Sequence, residues 1–192
     1  MSLVRCMLLV AAVASAVAGR AASGADDQQP EVMPTRDVDI TYQITRPDQP
    51  PNKSRRRWLA SEHLQRVDGS GKSATIFDRS KGEFTLINPT NRTYRKFEGS
   101  PRSAMSPQKG TALTRGGESV VAGLRCVDWS WTVDAEKHTA CLTPDGVMLR
   151  IVVDGKTVMQ ALSVKYRPQP AELFQVPRGY APALAPEGEV GD

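Results

Sequence analysis

The chain has 192 residues, 40% of them hydrophobic and 24% charged, with a formal net charge of +4 and three cysteines. Part of that charge sits in the first 25 residues: without Arg5 and Arg20 the net falls from +4 to +2, which argues against a nucleic-acid partner. About 167 residues remain beyond that segment, enough for one domain with its own core.

Residues 1–25 read as a cleavable secretory signal. Arg5 precedes an apolar run from Cys6 to Ala18, followed by small residues at Ala16-Val17-Ala18 and again at Ala21 to Ala25. The run is 13 residues long, short of the roughly 20 that cross a bilayer, so the mature form is expected to have no transmembrane segment. Cys6 opens the apolar run and does not lie at a cleavage point, which speaks against lipidation. The expected location is therefore the periplasm or the exterior.

Residues 26–35 are polar and aperiodic, a flexible N-terminal segment ahead of a single β-rich domain over 36–180. Val38, Ile40, Tyr42 and Ile44 alternate with polar residues, the period of a half-buried strand. Three prolines make Arg46 to Asn52 read as a loop. Trp58, Leu59, Leu64 and Val67 mark one or two further strands. Asp68 to Gly71 forms a turn, and short strands follow at Ala74–Asp78, Glu83–Ile87 and Arg92–Phe97, at hairpin spacing with no room for crossover helices. Residues 98–118 are rich in Gly, Ser, Pro and Lys and read as a long mobile connection, able to act as a lid or to hold a short helix.

Strands then resume. Val121, Val127, Trp129, Trp131 and Val133 are placed on one face, with Cys126, Asp128, Ser130 and Thr132 on the other. Turns are expected at Thr143 to Gly146 and at Asp154-Gly155. The second predicts pairing of Val153 with Lys156, Ile151 with Val158 and Val147 with Leu162. The last strand ends near Tyr166, and residues 181–192 read as a disordered tail.

The fold class expected is mainly β: a curved antiparallel meander of eight to ten strands with one apolar face, an open half-barrel with at most one short covering helix. With Cys6 removed, Cys126 and Cys141 form an even pair in an oxidising compartment and read as a disulfide. It closes a loop of about 15 residues, a stabilisation of roughly 3 kcal/mol. The competing metal site, His138 and Cys141 with Cys126, has no fourth ligand at suitable spacing.

The segments Asp37-Val38-Asp39-Ile40-Thr41-Tyr42, Val121-Ala122-Gly123-Leu124-Arg125-Cys126 and Val176-Pro177-Arg178-Gly179-Tyr180 resemble uncharacterised periplasmic proteins with a domain of unknown function. The resemblance spans about residues 37–180. Their fold is similar to that of the Lol-type lipoprotein carriers, an open half-barrel around an apolar cavity. The resemblance carries over no activity and no ligand residue. One continuous apolar face with few helices to cover it points to an apolar or amphipathic ligand in the curved sheet, a lipid or lipoprotein acyl chain; the alternative is a structural or interaction module of the envelope without ligand, with other envelope proteins as partners.

Catalytic signatures are weak. Gly69-Ser70-Gly71-Lys72-Ser73 ends like a phosphate loop, but Arg66 stands where that loop needs glycine, and a strand follows. Ser106-Pro107-Gln108-Lys109 lacks the companion motifs of penicillin-recognising enzymes. His63 and His138 are the two histidines available to a triad. No cofactor is expected, and a non-enzymatic reading leads over a hydrolase. Trp129 and Trp131 are candidate ligand-lining residues, with a core role as the alternative. Arg55, Arg56 and Arg57 before Trp58 are candidate contacts for an anionic group. The competing reading is a solvated edge protected by charge. Asn52-Lys53-Ser54 and Asn91-Arg92-Thr93 match the glycosylation acceptor pattern, which matters only in a eukaryotic secretory pathway.

Overall fold

A computed structural model describes residues 29–69, 73–99, 107 and 110–183. The expected leader over 1–25, the end of the chain beyond 183 and most of the 98–109 stretch lie outside the described residues. Among the described residues, twelve strands form one open, mixed sheet: Val38–Arg46 (β1), Gln49–Leu59 (β2), Leu64–Asp68 (β3), Ala74–Asp78 (β4), Glu83–Asn88 (β5), Thr93–Glu98 (β6), Thr114–Val121 (β7), Leu124–Val133 (β8), Glu136–Leu142 (β9), Met148–Val153 (β10), Lys156–Tyr166 (β11) and Ala181–Pro182 (β12). The spatial order is β12-β6-β5-β4-β3-β2-β1-β11-β10-β9-β8-β7. Two antiparallel meanders, β1–β6 and β7–β11, are thus joined through the β1–β11 pair. The two end strands do not pair, so the sheet is not closed into a barrel. Mainly β with an open sheet is the expected class; the strand count is higher, and β12 adds a parallel pair on β6.

Turn chemistry explains where the expected register is found and where it slips. Asp154 and Gly155 both have positive φ, the requirement of a two-residue type I′ turn, and Val153 opposes Lys156. One step further the ladder shifts at a bulge, so Ile151 opposes Met159 and not Val158. Ala122-Gly123 and Asp134-Ala135 make similar turns, with positive φ at all four residues. The turn at Ala122-Gly123 puts Val121 opposite Leu124, on the Cys126 face and not with the tryptophans.

Three further expectations change. Arg46 to Asn52 is not all loop: β2 starts at Gln49, and Pro50 and Pro51 fall at the register shift between Ile44↔Asn52 and Arg46↔Gln49. Its other edge meets β3 only from Arg55 onward, so neither proline is asked to donate to a ladder there. Residues 114–118, read as connection, are strand. The helical content of the described residues is two 3₁₀ turns, Ala60–Glu62 and Ala171–Phe174.

Both faces of the sheet are packed. The inner face, defined by Val38, Ile40, Tyr42 and Ile44, joins Trp58, Ile151, Met159 and Ala161 in the largest core cluster. The outer face of β2–β6 is covered by the segment after Tyr166. Phe174 packs there against Leu59, Ala74, Ile76 and Ile87. The covering helix therefore lies on the outer side. Polar ties fix the segment: Arg66 donates to the Leu173 carbonyl, and Asp37 accepts from the Gln169 backbone N–H.

Asp39, 5% exposed, anchors the start of this segment through Arg55 and Arg167. The hydrogen bonds from Arg55 lower its carboxyl to about 2, against burial that pushes it up, with Arg167 adding to the lowering. An unfolded aspartate titrates near 3.9. A folded pKa below that value gives stability that is present above about pH 5 and lost as the pH falls toward 2. Both arginine side chains are about half exposed, so screening leaves on the order of 1–2 kcal/mol. Asp39→Asn should flatten the acid limb of the stability profile, as measured by urea melts between pH 2 and 6.

Candidate functional site

A cavity of about 890 Å³ lies on the inner face. Its floor is sheet: Val38, Ile40 and Tyr42 from β1, Arg56 and Trp58 from β2, and Gln65 from β3. The alternation of β1 and β2 puts these side chains on one face, since Val38 opposes Trp58 and Ile40 opposes Arg56. Its cover comes from two irregular segments, residues 29–34 and 110–113, with Pro107. The cover is tied down. Gln29 donates to the Leu113 carbonyl and accepts from the Leu113 N–H, and Thr35 N–H donates to the Asp145 carbonyl. Gly146, at φ +82, sits so close that a Cβ would stand 2.1 Å from the Met33 carbonyl oxygen.

The lining is apolar and cationic. Met148, Met33, Val32 and Leu113 add to the apolar surface, Arg56, Arg57 and Arg79 are the arginines of the lining, and no Asp or Glu is among the described lining residues. The Tyr42 hydroxyl donates to the Met148 carbonyl at 2.7 Å, and burial pushes its pKa up to about 12. Arg56 lies 5.1 Å from the centre of the Tyr42 ring. Burial lowers the pKa of Arg56, with Tyr42 opposing; burial and then the Arg56 charge lower that of Arg79. Arg79 donates to the Gln65 side-chain oxygen at 2.7 Å and stands over Phe77. From Phe77 an aromatic row continues along the inner face, with Phe84 at 6.0 Å and Phe97 a further 4.7 Å on.

The candidate residues read from the sequence fall in different places. Of the three arginines, Arg56 alone turns its side chain inward. Arg55 pairs with Asp39 and Arg57 with Asp68 on the outer face, which is the consequence of period-two alternation. Trp129 and Trp131 are 7% and 4% exposed and pack with Leu113, Ala140 and Leu142. They do not line the cavity. Trp58 and Tyr42 do, two residues whose alternation was legible but whose partner across the cavity was not. Cys126 and Cys141 are joined in a disulfide, with α-carbons 5.3 Å apart. Asp128 opposes Cys141 on β9, which makes the bridge a diagonal one. His138 opposes Trp131, stacks on it at 5.4 Å and faces away from Cys141, so the metal reading does not assemble.

A second, more polar cleft of about 510 Å³ on the outer face gathers His63, Glu62, Asp78, Ser61, Ser80 and Lys81. Asp78 is at about 2; burial opposes, but hydrogen bonds from Ser80 and Lys81 prevail. It caps its own turn. Among the described residues His63 is hydrogen-bonded by its side chain to neither a serine nor a carboxylate, so no nucleophile and base are paired there.

No protein-family model matches the sequence, and neither does any curated protein. Several solved structures share the fold. An uncharacterised conserved protein from Thermus thermophilus superposes with a TM-score of 0.54 at 16% identity, over 78% of this chain and 90% of that one. PNGF-II does so at 0.52 and 15%, over 77% of this chain and 30% of its own. A chain of the Pseudomonas aeruginosa MucA/MucB complex does so at 0.50 and 16%, over 71% and 54%. The chain therefore spans about half of the MucA/MucB component and under a third of PNGF-II. No helix among the described residues is long and apolar enough to cross a membrane.

Proposed function

We propose that this protein is a non-enzymatic binding protein of the cell envelope that holds an apolar or amphipathic ligand, a lipid or acyl chain, in the inner-face cavity. The cavity carries the reading: about 890 Å³, floored by Val38, Ile40, Tyr42 and Trp58 and covered by two irregular segments. That volume lies within the range of about 300–1,000 Å³ typical of small-molecule sites. The disulfide supports an extracytoplasmic setting, because such bonds persist where the environment is oxidising.

Protein freed of lipid should take up a fluorescent fatty acid with one site per chain, and unlabelled fatty acid should compete it off. A folded protein that binds no apolar probe at micromolar concentration would refute the reading.

A second reading, a protein-interaction module without ligand, is supported by the likeness to a chain of the MucA/MucB complex and by the outer edge of β7, which is unpaired among the described residues. That strand carries exposed residues over most of its length and ends the sheet. An exposed edge is a template for strand addition from a partner.

A further inference from the structure

We propose that the cavity selects amphiphiles with an anionic head group and that Arg56 reads that charge. The inference rests on the cavity being a ligand site, and it specifies the chemical class of the ligand. Three observations converge. First, the described lining holds arginine and no carboxylate, so its charge is uncompensated from within. Second, Arg56 is the exception on its own strand. Its neighbours Arg55 and Arg57 each have an aspartate, whereas Arg56 has no ion-pair partner among the described residues; its buried Nε, like that of Arg57, has no acceptor. Third, the Trp58 indole N–H, on the same face of β2 and about 7 Å along it, is also buried without an acceptor.

A half-buried guanidinium with no counter-charge and a buried, unsatisfied Nε carries a cost, and the ring of Tyr42 offsets only part of it. The groups left over are donors. A neutral acyl chain would cover them and leave them unsatisfied. A carboxylate or phosphate supplies acceptors for both, in the geometry arginine favours for such groups. The ligand's apolar part then lies against Val38, Ile40 and Met148. Arg79, bound to Gln65, adds positive potential from the β4 side without needing to contact the ligand.

The test uses purified, lipid-free protein and three probes with the same eighteen-carbon chain: oleate, oleoyl lysophosphatidic acid and oleyl alcohol. Wild type should bind at least one of the two anions about ten- to a hundredfold more tightly than the alcohol, the range expected for a charge-assisted hydrogen bond. Preference for oleate or for the lysophosphatidic acid identifies carboxylate or phosphate as the head group. In Arg56→Gln the preference should fall to within about threefold, with alcohol binding retained. Equal wild-type affinity for all three probes overturns the inference and leaves the cavity as an apolar site. An Arg56→Gln protein that keeps the full preference overturns the assignment to Arg56. Binding of none of the probes removes the ligand reading itself. The wild-type comparison needs no variant, so it decides the head-group question even if Arg56→Gln fails to fold.

Discussion

Trp131→Ala is expected to lower the unfolding free energy by about 3–5 kcal/mol, the usual range for emptying a buried indole site. Trp131 is 4% exposed, packs in a cluster with Trp129, Leu113, Ala140 and Leu142, and stacks on His138. Its indole N–H is buried without an acceptor, so truncation also removes an unsatisfied donor. That relief places the loss toward the lower end of the range. Leu113 rests on this cluster and is hydrogen-bonded to Gln29, so the variant should also loosen the cavity cover. Urea denaturation measures the first effect and limited proteolysis near residues 110–113 the second. A loss below about 1 kcal/mol would mean that the indole is not a core group.

Loss of the Cys126–Cys141 bridge should cost about 3 kcal/mol, the chain-entropy value for a loop of roughly 15 residues. The bridge ties β8 to β9 within the largest core cluster, and Arg150 pairs with Asp128 beside it. Both cysteines are almost fully buried, at 2% and 0% exposure, so alanine at each position also removes sulfur packing. The double variant Cys126→Ala, Cys141→Ala should therefore melt well below wild type, and wild type under reducing conditions should fall most of the way toward it. Domains of this size have total stabilities of about 5–15 kcal/mol, so a change of about 3 kcal/mol is easily measured. Identical melting of oxidised and reduced protein would contradict the account.

Much of the sheet was legible because one strand after another alternates. Val38 to Ile44 announced β1, and its apolar even positions are buried, with Asp39 buried on the other face. Turns rich in Asp and Gly were equally clear. What escaped is what local pattern does not encode. Asp134-Ala135 forms a tight turn without glycine, and Ala122-Gly123 interrupts an apolar run that reads as continuous. Bulges at Ile151/Val152 and Thr41/Tyr42 shift the register by one residue, and nothing in the flanking side chains signals them. Pro50 and Pro51 masked the start of β2, since prolines are tolerated where the opposite strand is irregular and the other edge is free.

The site was legible in part. The run Arg55-Arg56-Arg57 stood out as a charge cluster, but its division depends on strand alternation: two arginines go to aspartates on the outer face and one to the cavity. The tryptophan pair on β8 drew attention over Trp58, because two aromatics at spacing two look like a wall. Which wall faces a cavity depends on where residues 29–34 and 110–113 lie, a tertiary fact. Neither segment has periodicity that would show it.

The most direct test is a native mass spectrum of the protein purified gently from the organism that makes it. The account predicts a population heavier than the polypeptide by the mass of one amphipathic molecule, released on denaturation and recovered in the lipid extract as an anion. Protein found only at its bare polypeptide mass, and still bare after incubation with excess oleate or lysophosphatidic acid, would contradict it.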